Sequence, residues 1–161
     1  RPGEHKEIVE IGAVRVDTEG FTEIDSFDVT VRPAINPILS DYFINLTHIT
    51  QEDVDTRGID FKSAVYMFSD WARALPLYSF GSDPDVLKEN CLLSKISFPF
   101  DPERFSDIRK TFREFGMDAF QYTSGTIVSA FGADIHRRAH NALNDARSIA
   151  DGLKLLAKNG L

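Results

Sequence analysis

The feature that most constrains the fold of this chain is a pair of β-rich stretches near its start. Residues 7–16 (EIVEIGAVRV) and 21–31 (FTEIDSFDVTV) are separated by Asp17-Thr18-Glu19-Gly20, a polar run that ends in glycine. Branched side chains suit a pleated surface and glycine admits a tight reversal, so the two stretches predict a hairpin. Beyond it the periodicity changes. Phe61, Ala64, Val65, Phe68, Ala72 and Leu75 recur at the three-and-four spacing of one helical face, with Asp60 as cap and Pro76 as stop. Ser40-Asp41 predicts the cap of a short helix over 42–46. Thr50 predicts another, with Glu52 and Asp53 placing acids in its first turn.

Residues 77–80 (LYSF) predict a short buried strand, followed at once by Gly81-Ser82-Asp83-Pro84, with Asp83 at the cap and Pro84 at the first helical position. That helix is expected to run to about residue 93. A loop over 95–103, a strand over 105–108 and a basic helix over 109–115 follow, then helices over 124–131 and 141–158. The last carries Ala142, Ala146, Ile149, Ala150, Leu153 and Leu156 on one face. A hairpin followed by helices alternating with short strands implies the α/β class, a mixed β-sheet flanked by helices.

Length and charge narrow the partners. A chain of 161 residues fits one domain, 1–161, able to close its core without disulfides. The lone Cys91 cannot form an internal disulfide, and no apolar run approaches the roughly 20 residues of a membrane span. The expectation is a cytoplasmic protein with no membrane partner. With 18 Lys and Arg against 25 Asp and Glu the net charge is −7, which argues against broad nonspecific binding to polyanions. A polyanion handled by this chain must be held locally or through bound metal ions.

Candidate chemistry concentrates in HRRAHNALNDAR, residues 136–147. His140 and Asp145 are five apart, which on a continuous helix separates them by about 140° around the axis. They converge only if His140 precedes the helix and Asp145 lies in its early turns. On spacing alone, the reading favoured is a helix-start residue and a first-turn acid. Asp83 sits where a strand end meets a helix start, the place where α/β sheets gather ligands, with Asp85 as the competing carboxylate. His136 and His140 are four apart, a spacing that suits one zinc ion, but no further ligands follow at metal-site spacing. Phe43, Leu46, Thr47 and Ile49 form either an apolar platform for a base or a wall of the core.

Four separated segments resemble one family. FINLTHITQEDVD is similar to the F-x-x-L-T-x-I-T-x-x-x-V-D segment, and HNALNDAR to the H-x-A-L-x-D-A-R segment, of the DEDD-type 3′-5′ exonucleases with a catalytic histidine, especially the branch that trims RNA ends. EIVEIGAVRVD resembles that family's second strand, and YSFGSDPDVLKENC the turn carrying its third acid. The resemblance implies a ribonuclease H-like fold and two divalent cations, Mg2+ or Mn2+, held by four acids. It also implies hydrolysis of the last phosphodiester at the 3′ end of RNA or single-stranded DNA, releasing nucleoside monophosphates. Hard oxygen ligands suit magnesium, and an imidazole is a suitable base near neutral pH. By position, His140 resembles the base, Asp145 the final metal ligand and Asp83, or alternatively Asp85, the acid of the second motif. Leu46 and Thr47 resemble the residues that wedge against the terminal base and ribose.

The resemblance departs at its start. In the family a strand bearing D-x-E, the first two metal acids, precedes the strand that residues 7–16 match, and no such strand stands before it here. Glu4, Glu7 and Glu10 lie in or beside the second strand and lack the pattern. The missing strand is central, so its loss would leave a hole in the sheet. The expectation is a segment upstream of Arg1 that supplies it; without one, the chain should neither fill its metal site nor cleave. The competing readings are a noncatalytic nucleic-acid-binding or interaction module that has lost the D-x-E ligands, and a zinc-binding domain through His136 and His140.

Overall fold

The computed structural model describes residues 6–124, 126–132 and 141–160. The predicted hairpin is present as β1 (Glu10–Val16) and β2 (Glu23–Thr30), antiparallel, with Glu10 opposite Thr30 and Arg15 opposite Asp25. Asp17 closes the turn: its N–H donates to the Thr22 carbonyl (3.0 Å) and its carboxylate accepts from Gly20 N–H (2.7 Å).

Three helices follow with the caps expected of them. Ser40 Oγ accepts from Phe43 N–H ahead of α1 (Asp41–Thr47), and Thr50 and Asp53 form a reciprocal capping box on α2 (Gln51–Arg57). Asp60 accepts from Ser63 N–H at the start of α3 (Phe61–Ala72), whose buried residues are the predicted face. Leu75 is an exception. Arg73 turns the chain with φ of 52°, so α3 stops before Pro76 and leaves Leu75 exposed.

The next elements are β3 (Leu77–Ser79), α4 (Asp83–Leu93), β4 (Phe105–Asp107), α5 (Ile108–Glu114) and α6 (Ala142–Gly160). Two expectations need correction. Asp83 is not the cap of α4: Gly81, at φ of 97°, makes the reversal early, Ser82 takes the cap position without a side-chain bond, and Asp83 is the first helical residue. Its carboxylate is thereby released from capping. The helix expected over 124–131 is a 3₁₀ turn over Ile127–Phe131. Ser129 Oγ donates to the Thr126 carbonyl (2.6 Å) and Thr126 Oγ1 accepts from Thr123 N–H (2.8 Å), local bonds that compete with an α-helical ladder.

Two cores result. Ile11, Phe61, Val65, Phe68, Leu87 and Phe100 belong to one, between the hairpin, α3 and α4; Ile108, Phe112, Ile127, Val128, Leu153 and Leu156 belong to the other, under α6. Asn90, buried on α4, clamps the chain entering β1: its amide accepts from Ile8 N–H (3.0 Å) and donates to the Lys6 carbonyl (2.7 Å). Glu7 ties that segment to the loop before α1, its carboxylate accepting from the N–H groups of Ala34 (2.8 Å), Ile35 (2.8 Å) and Asn36 (2.7 Å).

Among the described residues the strands form two separate pairs, β1 with β2 antiparallel and β3 with β4 parallel. The expected mixed sheet is therefore in two pieces. Both β1 and β3 line a cleft of about 560 Å³, walled by α3 and α4 and by α6. Successive β1 side chains point to opposite faces: Ile11 packs in the α3 core, whereas a side chain on Gly12 would meet α6. The helices thus cover the two faces of a sheet that is open by one slot between β1 and β3.

Candidate active-site cleft

Asp83 and Asp145 both line this cleft, and Asp85, exposed on α4, does not. The sequence brings them there by different devices. Asp83 follows directly from the strand-to-helix turn at Gly81. Asp145 lies in the first turn of α6, where Asn141 accepts from Asn144 N–H (3.0 Å) through its side chain and from Asp145 N–H (2.9 Å) through its carbonyl. Glu10, also lining the cleft, accepts a hydrogen bond from Ala142 N–H at the start of the same helix. His136 and His140 lie outside the described residues.

Asp83 is exposed, with Phe80, Asp107 and Arg109 close to its carboxylate. Loss of water and, next, the negative charge of Asp107 raise its pKa above the usual 3.8, against the lowering effects of a Phe80 backbone hydrogen bond and of Arg109. Asp107 behaves oppositely. Partial burial favours its neutral form, but the Arg109 guanidinium forks onto both its oxygens (2.8–3.1 Å), and Arg109 and Gly81 N–H groups add to that, holding the carboxyl below its usual range. Arg109 also lies 4.5 Å from the centre of the Phe120 ring, where Arg113 stacks at 4.1 Å, and 5.8 Å from the ring of Phe80, a cleft residue.

Arg15 and Trp71 also line the cleft. The Arg15 guanidinium covers the Trp71 ring at 4.6 Å, and the indole N–H donates to Asp25 (3.0 Å). Among the described residues two buried side-chain atoms have no hydrogen-bond partner, Arg15 Nε and Ser79 Oγ. Both belong to residues lining the slot, one on β1 and one on β3. An orphaned buried polar atom costs free energy, and two of them bordering one slot mark it as a place built to receive polar groups.

A divalent cation, as the resemblance implies, finds suitable oxygen donors here. The Asp83 carboxylate lacks a full counter-charge, which a cation would supply, and Asp145 provides a second hard donor. The set is partial: among the described residues no three His, Cys, Asp or Glu side chains come together as a metal site, and the zinc reading falls on His136 and His140, outside the described residues. Leu46 and Thr47 are not among the residues lining the cleft. They end α1, Leu46 being 37% exposed and Thr47 buried, with its hydroxyl donating to the Phe43 carbonyl (2.9 Å). The roles of Glu10 and of the Arg109 fork escaped sequence reasoning. The signal for the first was Gly12, a glycine inside a branched strand, which often marks close approach of another backbone.

Helices on both faces of strands that hold acids at a strand-to-helix turn and at a helix start define a nuclease-type α/β frame, and the chain belongs to the exonuclease family, whose model matches residues 1–153. Its fold is ribonuclease H-like. It is similar to 3′-5′ exoribonuclease 1 of Homo sapiens, 33% identical over 155 residues that cover 89% of this chain and 44% of that protein. It is also similar to the probable 3′-5′ exonuclease KapD of Bacillus subtilis (strain 168), 28% identical over 157 residues covering 95% and 74%. The chain thus spans less than half the length of the first relative. Among solved structures, the nuclease domain of 3′hExo, a DEDDh family member bound to rAMP, superposes with a TM-score of 0.90 at 29% identity, covering 99% of this chain and 85% of that one. A structure of 3′-end specific recognition of histone mRNA stem-loop by 3′-exonuclease gives 0.83 at 26% identity, covering 99% and 76%. No helix among the described residues is long and apolar enough to cross a membrane.

Proposed function

We propose that this chain is the catalytic domain of a metal-dependent 3′-5′ exonuclease acting on RNA or single-stranded nucleic acid and releasing nucleoside monophosphates. The observation that carries it is the cleft into which Asp83 and Asp145 face, in a fold whose relatives include an exoribonuclease and an rAMP-bound nuclease domain. Bound Mg2+ or Mn2+ would activate water and offset charge on the phosphate. Asp83 and Asp145 hold the cations, His140 takes the proton from the attacking water, and Leu46 and Thr47 meet the terminal nucleotide. Arg109 and Arg113 meet the polyanion locally, which a chain of net charge −7 requires.

The slot between β1 and β3 takes a β-strand that completes the sheet and brings the remaining two acids as D-x-E. Two strands that line it without pairing, with orphaned polar atoms on each, support that reading. The partial ligand set among the described residues also favours one alternative, a noncatalytic nucleic-acid-binding module.

The test is a 5′-labelled RNA oligonucleotide with a 3′-hydroxyl, incubated with the chain alone and with the chain plus a synthetic apolar strand peptide bearing D-x-E. Shortening from the 3′ end, dependent on Mg2+ or Mn2+ and strongest with the peptide, is expected. Full activity in excess chelator would overturn the metal reading, and binding without cleavage in both arms would establish the module. In the active form, His140→Ala should lower turnover by roughly 100 to 10,000-fold. Added Mn2+ should rescue Asp145→Asn in part and His140→Ala not at all.

A further inference from the structure

Glu10 stands on the face of β1 that looks toward α6, as does Gly12 two residues on. Its Oε1 accepts from the N–H of Ala142, the first residue of α6 and 132 positions away in sequence. That N–H is one of the four at a helix start with no partner inside the helix, and a carboxylate there also faces the positive end of the helix dipole. Asn141 already supplies the local cap, so the Glu10 bond is additional to it and joins the helix to the hairpin.

Gly12 is an independent sign of the same docking. A Cβ at this position would come within 2.8 Å of Leu143 Cα, so the strand and helix backbones touch where only glycine fits. Residues 142 and 143 are therefore held from β1 by one hydrogen bond and one steric contact. Asp145 lies on the same turn and faces the cleft.

We infer that Glu10 is a positioning residue that fixes the first turn of α6, and with it the Asp145 carboxylate, against β1. Its role as a holder of Asp145 for a cation rests on the functional reading above; its role in docking the helix does not. An ion pair between Arg147 and Glu23 (2.9 Å) ties the next turn of α6 to β2 and provides the control.

Hydrogen exchange of the 161-residue chain, followed by mass spectrometry, separates peptides over 142–146 from those over 150–158. Glu10→Ala should speed exchange at 142–146 roughly tenfold, the scale of a lost charged contact at a helix start, and leave 150–158 unchanged. Glu10→Gln keeps an acceptor oxygen and should recover most of the protection, whereas Glu23→Gln should leave 142–146 near the parent rate. With the D-x-E strand peptide present, calorimetric titration with Mn2+ should show affinity weakened by Glu10→Ala and largely retained by Glu10→Gln. Exchange at 142–146 that ignores Glu10→Ala would overturn the proposal, as would equal acceleration of both helix segments. So would loss of Mn2+ affinity in Glu10→Gln with exchange intact, which would make Glu10 a ligand. A chain that docks its helix this way but never cleaves RNA even with the D-x-E strand peptide would count against the functional reading and leave the docking role standing.

Discussion

Replacing Glu7 by alanine should release the loop that leads into α1 without unfolding the domain. The Glu7 carboxylate receives three successive backbone N–H groups, those of Ala34, Ile35 and Asn36. If each bond contributes only about 0.5 kcal/mol, the low end for an ordinary hydrogen bond, the three hold the loop by about 1.5 kcal/mol. The values usual for charged acceptors would raise that to about 4.5 kcal/mol or more. The loop is open to water, which replaces much of each lost bond, so the lower part of the range applies and about 2 kcal/mol is expected. That corresponds to exchange of the 34–36 amides faster by about 30-fold, since each 1.4 kcal/mol is a factor of ten. If the loop unfolded with the whole domain, the same loss would lower Tm by about 6 °C, given an unfolding entropy of about 0.3 kcal/mol/K for a chain of this length. Exchange measured by mass spectrometry distinguishes the two. Glu7→Ala should accelerate 34–36 selectively and shift Tm by less than that, while Glu19→Gln in the hairpin turn changes neither. Exchange at 34–36 that does not respond to Glu7→Ala would show that the carboxylate does not hold this loop.

Asp83→Asn should stabilise the metal-free protein at neutral pH: a folded pKa raised above the unfolded one means that stability is lost as pH climbs between the two, and the substitution removes that loss. Thermal melts should show a higher Tm for the variant at pH 7, no gain at pH 3 and, with the D-x-E strand peptide present, a gap that closes when Mn2+ is added. Asp53 and Asp60 work in the other direction. Backbone N–H groups, of Thr50 and Ser63 respectively, are the first cause holding their carboxyls below the usual 3.8. The stability they supply is present above that value and lost as pH falls through their lower folded values, so Asp53→Asn with Asp60→Asn should flatten urea-measured stability between pH 4 and pH 2. An undiminished acid transition in the double variant would exclude these caps as its source.

The parts of the fold legible in the sequence are those decided by neighbours along the chain. The Asp17–Gly20 turn, the Thr50–Asp53 capping box and the Phe61–Ala72 face each depend on residues within a few positions, and the structure has all three. Legibility failed where a local signal was overruled nearby. Gly81 moved the start of α4 by one residue and converted Asp83 from a cap into a cleft residue, and hydroxyls at Thr126 and Ser129 turned an expected helix into a 3₁₀ turn. It failed more completely for bonds across the fold. Glu7 to residues 34–36 and Glu10 to Ala142 join positions whose separation no periodicity records. For the cleft, the sequence placed Asp83 and Asp145 at a strand-to-helix turn and in an early helical turn, both as observed, but nothing in it ranked Asp83 above Asp85.

The tryptophan on the cleft wall has an experimental consequence. Trp71 is the single tryptophan of the chain, and its ring is bordered by the Arg15 guanidinium and by the slot that β1 and β3 leave between them. Ultraviolet emission excited at the red edge of protein absorbance therefore comes from one indole in one place. Whatever enters the slot replaces water around that indole, so its colour and polarisation report occupancy without any attached dye. The molecule carries its own optical gauge of whether its sheet is open or closed.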